Sequence, residues 1–289
     1  MAEDRVKSFL DRMILATRQS GAIANMLKGR VANEGKAAEV FPDDSARLAA
    51  QRSAKTLVDE IVQEILLLAA ADVLDSRMVT LDAEEESPSV RLFTGQASPL
   101  SLVIDPIDGT LEYLTGRDDY AVCVGLVNNG KMGGALVYFP ARDHLYWLDA
   151  DGQSYLARNV YSSDISDRIR LRPPTAASPR RVYKNSRVPQ EVVERLTEAG
   201  FEVVDDSQDE RGCQDALLHC LRGGALAYIA YTRQMRDVLL GAVIGGSNVG
   251  YALDWSGRPL CWPVSGRVPR AIFGVGAYPE EMLKCLAGY

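Results

Sequence analysis

The chain has 289 residues, of which 47% are hydrophobic and 25% charged, with Tyr 12, Phe 6 and Trp 3. That composition describes a globular protein of one large or two modest domains and excludes a disordered one. The longest apolar run, Ile65 to Ala71, falls far short of the roughly 20 residues that span a bilayer, so no membrane association is expected. No basic and apolar leader opens the sequence, and a cytoplasmic protein is expected. The net charge of −7 argues against a nucleic-acid partner. Two histidines exclude a His-rich metal centre, and five scattered cysteines without a Cys-x-x-Cys pair point to buried thiols rather than disulfides or zinc.

Taken in chain order, residues 4–29 carry Val6, Leu10, Met13 and Thr17 on one stripe and predict an amphipathic helix that stops at Gly29. Residues 30–50, with Pro42, Asp43 and Asp44, read as a loop or hairpin. A second helix is expected from Val58 to Ala71, then a short strand from Met78 to Leu81 ending in the acidic cluster Asp82 to Glu86. Strands follow at Leu102 to Ile104, Tyr120 to Val127, Lys131 to Tyr138 and Leu145 to Asp149, with Asn129-Gly130 as a hairpin signal. The Pro-rich stretch Arg170 to Pro179 reads as a connection between halves. Beyond it, helices at Pro189 to Ala199, Gln214 to Leu221 and Asp237 to Ile244 alternate with strands at Phe201 to Val204 and Ala225 to Ala230, an α/β pattern.

The chemistry concentrates in Asp105-Pro106-Ile107-Asp108-Gly109-Thr110. An apolar strand delivers Asp105, Pro106 is expected to end its ladder, and the turn lets two carboxylates and a carbonyl converge. Gly109 can take a positive φ and Thr110 can cap a following helix. Oxygen donors at this spacing suit a hard cation such as Mg²⁺. An aspartyl-phosphate nucleophile wants Asp-x-Asp and is excluded by the two intervening residues.

The hexapeptide resembles the signature of the inositol monophosphatase superfamily, lithium-sensitive and Mg²⁺-dependent phosphomonoesterases. Thr56-Leu57-Val58-Asp59 is similar to that family's Thr-x-x-Asp. Glu85-Glu86-Ser87 is similar to its Glu-Glu-Ser, twenty residues before the strand aspartate. Asp237 with its apolar helix, Gly245-Gly246 and Asp254 to Leu260 looks like its C-terminal block. The resemblance implies an α/β, layered αβαβα fold with an α+β metal-binding half (1–168) and an α/β half closing the cleft (169–289). It implies two or three Mg²⁺ ions and inhibition by Li⁺. Glu85, Asp105 and the Ile107 carbonyl would hold the first metal; Asp105, Asp108 and Asp237 would hold the second. Whether Glu84 or Glu85 is the ligand is a question of register that spacing resolves toward Glu85. Glu85, Thr110 and Asp59 would position the attacking water, and Gly109 and Thr110 would face the substrate. A small phosphorylated metabolite is the implied partner, and a homodimer the implied assembly.

The sequence also departs from the family. Arg236 stands where a Trp precedes the C-terminal aspartate, and Val238-Leu239-Leu240 replace small residues after it. Ala230 occupies the position of a Glu that contacts inositol. Leu111-Glu112-Tyr113 is similar to the 3′(2′),5′-bisphosphate nucleotidase branch, which favours 3′-phosphoadenosine 5′-phosphate as substrate. Inositol 1-phosphate or another sugar phosphate, fructose 1,6-bisphosphate included, and a non-catalytic phosphate-binding relative remain alternatives. Lys184 and Arg187 are candidates for a second phosphate contact, with solvated surface charge as the alternative.

Overall fold

The computed structural model describes residues 2–36, 46–95, 98–161, 165–175, 179–208, 212–276 and 280–289. Within these residues lie eight α-helices and twelve strands, the strands forming two sheets. Pro42, Asp43 and Asp44 of the expected loop, and residues 176–178 of the expected connector, lie outside the described residues.

The first sheet has seven strands in sequential order: β1 (Thr80–Ala83), β2 (Leu100–Asp108), β3 (Ala121–Asn128), β4 (Lys131–Phe139), β5 (His144–Leu148), β6 (Ser154–Arg158) and β7 (Ile169–Arg170). Only β1 and β2 run parallel, and the rest is an antiparallel meander. Because β7 pairs with β6, this sheet continues one strand past residue 168. One face is covered by α1 (Ala2–Leu27) and α3 (Leu57–Ala71), whose apolar stripes bury Phe9, Met13, Val62 and Leu66 against Leu102, Ile104 and Leu136. The helical period accounts for α1, and Gly29, at φ +68, ends it.

The second sheet has the order β11 (Gly250–Leu253), β12 (Arg267–Val275), β10 (Ala227–Gln234), β8 (Arg181–Lys184), β9 (Glu202–Asp205). Helices α6 (Cys213–Leu221) and α7 (Leu239–Ile244) lie between the sheets, burying Leu217, Leu239 and Val243 against Val137 and Phe273. Helices α5 (Gln190–Glu198) and α8 (Glu280–Leu286) cover the outer face through Val192, Leu196 and Met282. The layers therefore run αβαβα. Arg142, reaching from the end of β4 to Asp119 and, at 2.9 Å, to Asp215 of α6, ties the first sheet to the middle layer.

Several boundaries differ from expectation. A helix, α2 (Ala46–Ser53), occupies part of the stretch read as loop. The strand expected from Met78 is displaced: Met78 ends a 3₁₀ turn and is exposed, and pairing starts at Thr80. Pro106 does not end β2, because it falls where the pairing with β3 shifts and no ladder N–H is needed. β12, at the heart of the second sheet, went unread because Pro269 interrupts its pattern. Pro269 lies between the pairs Tyr231↔Arg270 and Arg233↔Val268, opposite Thr232, which itself takes φ +48. The helix expected from Asp237 begins at Leu239, and Asp237 sits on a separate 3₁₀ turn, Arg236–Val238. Leu239 packs against β3 where Gly125 has no side chain, and a Cβ there would meet Leu239 Cδ2 at 2.7 Å. Among the described residues no helix is long and apolar enough to cross a membrane.

Candidate active site

The C-terminal end of β2 builds the centre. Residues three apart on a strand point to opposite faces. The pairing of Asp105 with Cys123 and of Asp108 with Ala121 fits one extra residue into β2 between them, which turns both carboxylates to one side. Asp237 arrives from across the cleft, and oxygens of Asp105, Asp108 and Asp237 all lie within 4.8 Å of one another. The turn carrying Asp237 is clamped by Gln214 of α6. Its side chain donates to the Arg236 carbonyl at 3.3 Å and accepts from Leu240 N–H at 3.1 Å, and its own backbone N–H approaches Asp108 Oδ2 at 3.4 Å. Nothing in the sequence signals that role, since it works through main-chain atoms distant in sequence.

Gly109 follows in the left-handed region at φ +87, and a Cβ there would meet the Asp119 carbonyl at 2.8 Å. Gly109→Ala is therefore expected to cost about 2 kcal/mol or more through backbone strain. It should lower the melting temperature and turnover together, which thermal denaturation and a rate assay on one preparation will show.

Thr110 opens α4 (Thr110–Leu114), and its hydroxyl lies 3.1 Å from Asp59 Oδ1 and 2.9 Å from the Ile107 carbonyl. One hydroxyl donates one proton, so a bond to Asp59 frees the carbonyl for a cation. Asp59 is fixed by the capping box of α3. Its Oδ2 accepts from Thr56 N–H at 2.9 Å and from Thr56 Oγ1 at 2.6 Å. Burial pushes the Asp59 carboxyl up to about 6, against the lowering by Thr56 and with help from Glu84 and Glu85.

The register of β1 corrects the expectation for the glutamates. Ala83 pairs with Ile104 in parallel, so the next residue, Glu84, comes beside Asp105, and the two carboxyls share a hydrogen bond. Glu84 lines the cleft. Glu85 is outside that lining: its backbone is bracketed by Gln63, and its carboxylate pairs with Lys55 and with Lys36, which also holds Glu84. Spacing alone favoured Glu85 because it could not show where pairing begins.

The electrostatics are those of a site built for cations. Burial, reinforced by the neighbouring carboxylates, holds Asp105 and Asp108 well above the ordinary carboxylate range. Burial would raise Glu84 too, but Lys36 and Arg236 outweigh it and hold it low. Asp105 Oδ1 is buried with no hydrogen-bond partner, an orphan acceptor that a cation would satisfy. The nearby thiols of Cys123 and Cys213 are pushed well up by burial and stay protonated, leaving oxygen as the available donor. The donor set therefore fits Mg²⁺.

The cleft has a volume of about 330 Å³, and Arg187, Arg233, Arg236 and Arg267 are among the residues that line it. Of the residues expected to meet a second phosphate, Arg187 lines the cleft, its Nη1 donating to the Thr232 carbonyl at 3.0 Å. Lys184 does not: it is ion-paired with Asp205 at the end of β8 and is outside the cleft lining. Glu112 also lines the cleft, whereas Tyr113 is core, donating to the Ala24 carbonyl at 2.9 Å. Ala230 is wholly buried between the sheets, so its lack of a carboxylate says nothing about substrate; Thr232, Arg233 and Gln234 of the same strand face the cleft instead.

A model of the inositol monophosphatase family matches residues 13–281. The Nus factor SuhB of Xylella fastidiosa is 28% identical over 156 residues, 54% of this chain and 55% of that protein. The 3′(2′),5′-bisphosphate nucleotidase CysQ of Escherichia coli is 25% identical over 161 residues, 55% of this chain and 60% of that protein. The matched segments span between 20% and 60% of the lengths of such relatives. The solved IMPase of Thermotoga maritima superposes with a TM-score of 0.67 at 18% identity, covering 96% of each chain, and shares the fold.

Proposed function

The chain belongs to the inositol monophosphatase family, and from that premise we propose a Mg²⁺-dependent phosphomonoesterase whose preferred substrate is a small bisphosphorylated metabolite of the 3′-phosphoadenosine 5′-phosphate type. The observation that carries this reading is the convergence of Asp105, Asp108 and Asp237, with an orphaned Asp105 oxygen, beside the Asp59–Thr110 pair. In it, Glu84 takes the role expected of Glu85, with Asp105, Asp108, Asp237 and the Ile107 carbonyl as the remaining donors. Mg²⁺ bound there would polarise a phosphoryl oxygen and acidify a water. Thr110, its proton committed to Asp59, presents a lone pair that orients a water toward phosphorus. Asp59 holds that hydroxyl and can take up the proton. Gly109 lets the backbone approach the phosphate. The two or three ions, Li⁺ inhibition, a homodimer and a cytoplasmic setting belong to the same proposal, the last supported by five unpaired cysteines.

Arg187 and the exposed Arg267, which line the same cleft as the aspartates, favour a substrate with a second anionic group. Arg187→Ala is expected to raise KM for the bisphosphate about tenfold, with kcat and inositol 1-phosphate turnover little changed. The deciding experiment is phosphate release from 3′-phosphoadenosine 5′-phosphate, inositol 1-phosphate and fructose 1,6-bisphosphate, each with Mg²⁺ and with or without Li⁺. Preference for the nucleotide supports the proposal. Preference for inositol 1-phosphate, unaffected by Arg187→Ala, overturns the substrate assignment while leaving the hydrolase.

A further inference from the structure

Arg236 is peculiar in its surroundings. Its side chain is only 11% exposed, it lies on the turn that delivers Asp237, and its Nη1 sits 3.6 Å from Asp82 Oδ1. The charges that act on it are Glu84, Asp237, Asp105 and Asp82. Its Nε is buried with no hydrogen-bond partner, so the guanidinium is held there by charge rather than by a completed set of hydrogen bonds. Arg233 Nε is likewise without a hydrogen-bond partner, but Arg233 is ion-paired with Asp237 itself, Nε lying 2.9 Å from Oδ2, and Nη2 lies 3.7 Å from Asp206.

A guanidinium beside a carboxylate cluster has two opposite effects. Without a divalent ion it offsets the repulsion among Glu84, Asp105 and Asp237, and so holds the turn against β2. Toward a divalent ion it is a like charge at close range in a poorly solvated site, and it weakens the ion's hold. We infer that Arg236 is a built-in counter-cation that sets the Mg²⁺ affinity of the carboxylate cluster, keeping the cleft assembled between metal-binding events and lowering affinity for the ion. The inference rests on the reading of this cluster as a Mg²⁺ site.

The test is calorimetric titration of Mg²⁺ into chelator-treated protein, with melting temperatures measured alongside. Arg236→Met is expected to bind Mg²⁺ about tenfold more tightly than wild type, and Arg236→Lys, which keeps the charge, to stay within about threefold of it. Metal-free Arg236→Met should melt below wild type and gain more on adding Mg²⁺. If that variant does not fold without metal, Arg236→Gln carries the same expectation. Equal or weaker Mg²⁺ binding by the folded, uncharged variants overturns the inference and leaves the metal site standing. Absence of Mg²⁺ binding by wild type and every variant overturns the inference and the metal site together.

Discussion

Asp105→Asn is expected to lower Mg²⁺-dependent phosphate release by about a thousandfold while raising the melting temperature of the chelator-treated protein. Both effects come from one position. Asp105 shares a hydrogen bond with Glu84 and lies with Asp108 and Asp237, and its Oδ1 has no partner. Asn keeps the shape of the side chain but would supply a neutral, weaker donor to a hard cation, so an ion at this cluster would be held less tightly. In the absence of metal, the same change removes a charge that burial and neighbouring carboxylates disfavour, so repulsion is relieved. Most buried substitutions lower stability and activity together; here they should diverge. Steady-state rates and thermal melts in chelator check this directly. Activity within tenfold of wild type, or a lower metal-free melting temperature, would remove Asp105 from the centre of the account.

The stability gained from Mg²⁺ should widen as pH rises from about 5 to 8. Asp59 has its folded-state carboxyl raised from 3.8 to about 6, with burial as the main cause, and Asp105 and Asp108 are held well above the ordinary range by burial, reinforced by Glu84 at Asp105 and by Asp237 at Asp108. A carboxyl raised on folding binds its proton more tightly in the native state. Its favourable contribution is present below the unfolded value near 3.8 and is lost as pH rises through the folded value. For Asp59 alone the full loss, from below 3.8 to above 6, amounts to about 3 kcal/mol, roughly half of which falls above pH 5. Glu84, held low, contributes with the opposite sign, but only near and below its ordinary 4.5, outside this window. Metal-free protein should therefore lose stability across the window, and Mg²⁺, which favours the ionised carboxylates, should restore it increasingly. Melting curves at pH 5, 6.5 and 8, with chelator and with Mg²⁺, measure the gap. Asp59→Asn should flatten the metal-free decline. A gap independent of pH would contradict the electrostatic account of the cluster.

Legibility in the sequence followed the physical range of each signal. Periodicity within one element exposed α1, α3 and the meander from β3 to β5, because each buries a face of its own. Asp105, Asp108, Thr110 and Asp59 were legible because short-range turn and capping chemistry positions them. Properties set by pairing between distant strands were not. Glu84 and Glu85 differ only in where β1 meets β2, and a one-residue step exchanges which of them faces Asp105. β12 hid behind Pro269, harmless where its partner Thr232 leaves the regular strand conformation. Lys184 looked free but belongs to Asp205, a partner that the parallel pairing of β8 and β9 supplies. Gln214, holding the Asp237 turn through backbone groups, carries no mark that sequence alone could show.

The most direct measurement is phosphate release from 3′-phosphoadenosine 5′-phosphate and inositol 1-phosphate by chelator-treated protein as Mg²⁺ is added back. No release is expected without the ion, saturable release with it, and about a thousandfold less from Asp105→Asn under the same conditions. Release that persists in chelator, or its absence from folded wild-type protein at saturating Mg²⁺, would contradict a metal-dependent phosphomonoesterase built on Asp105, Asp108 and Asp237.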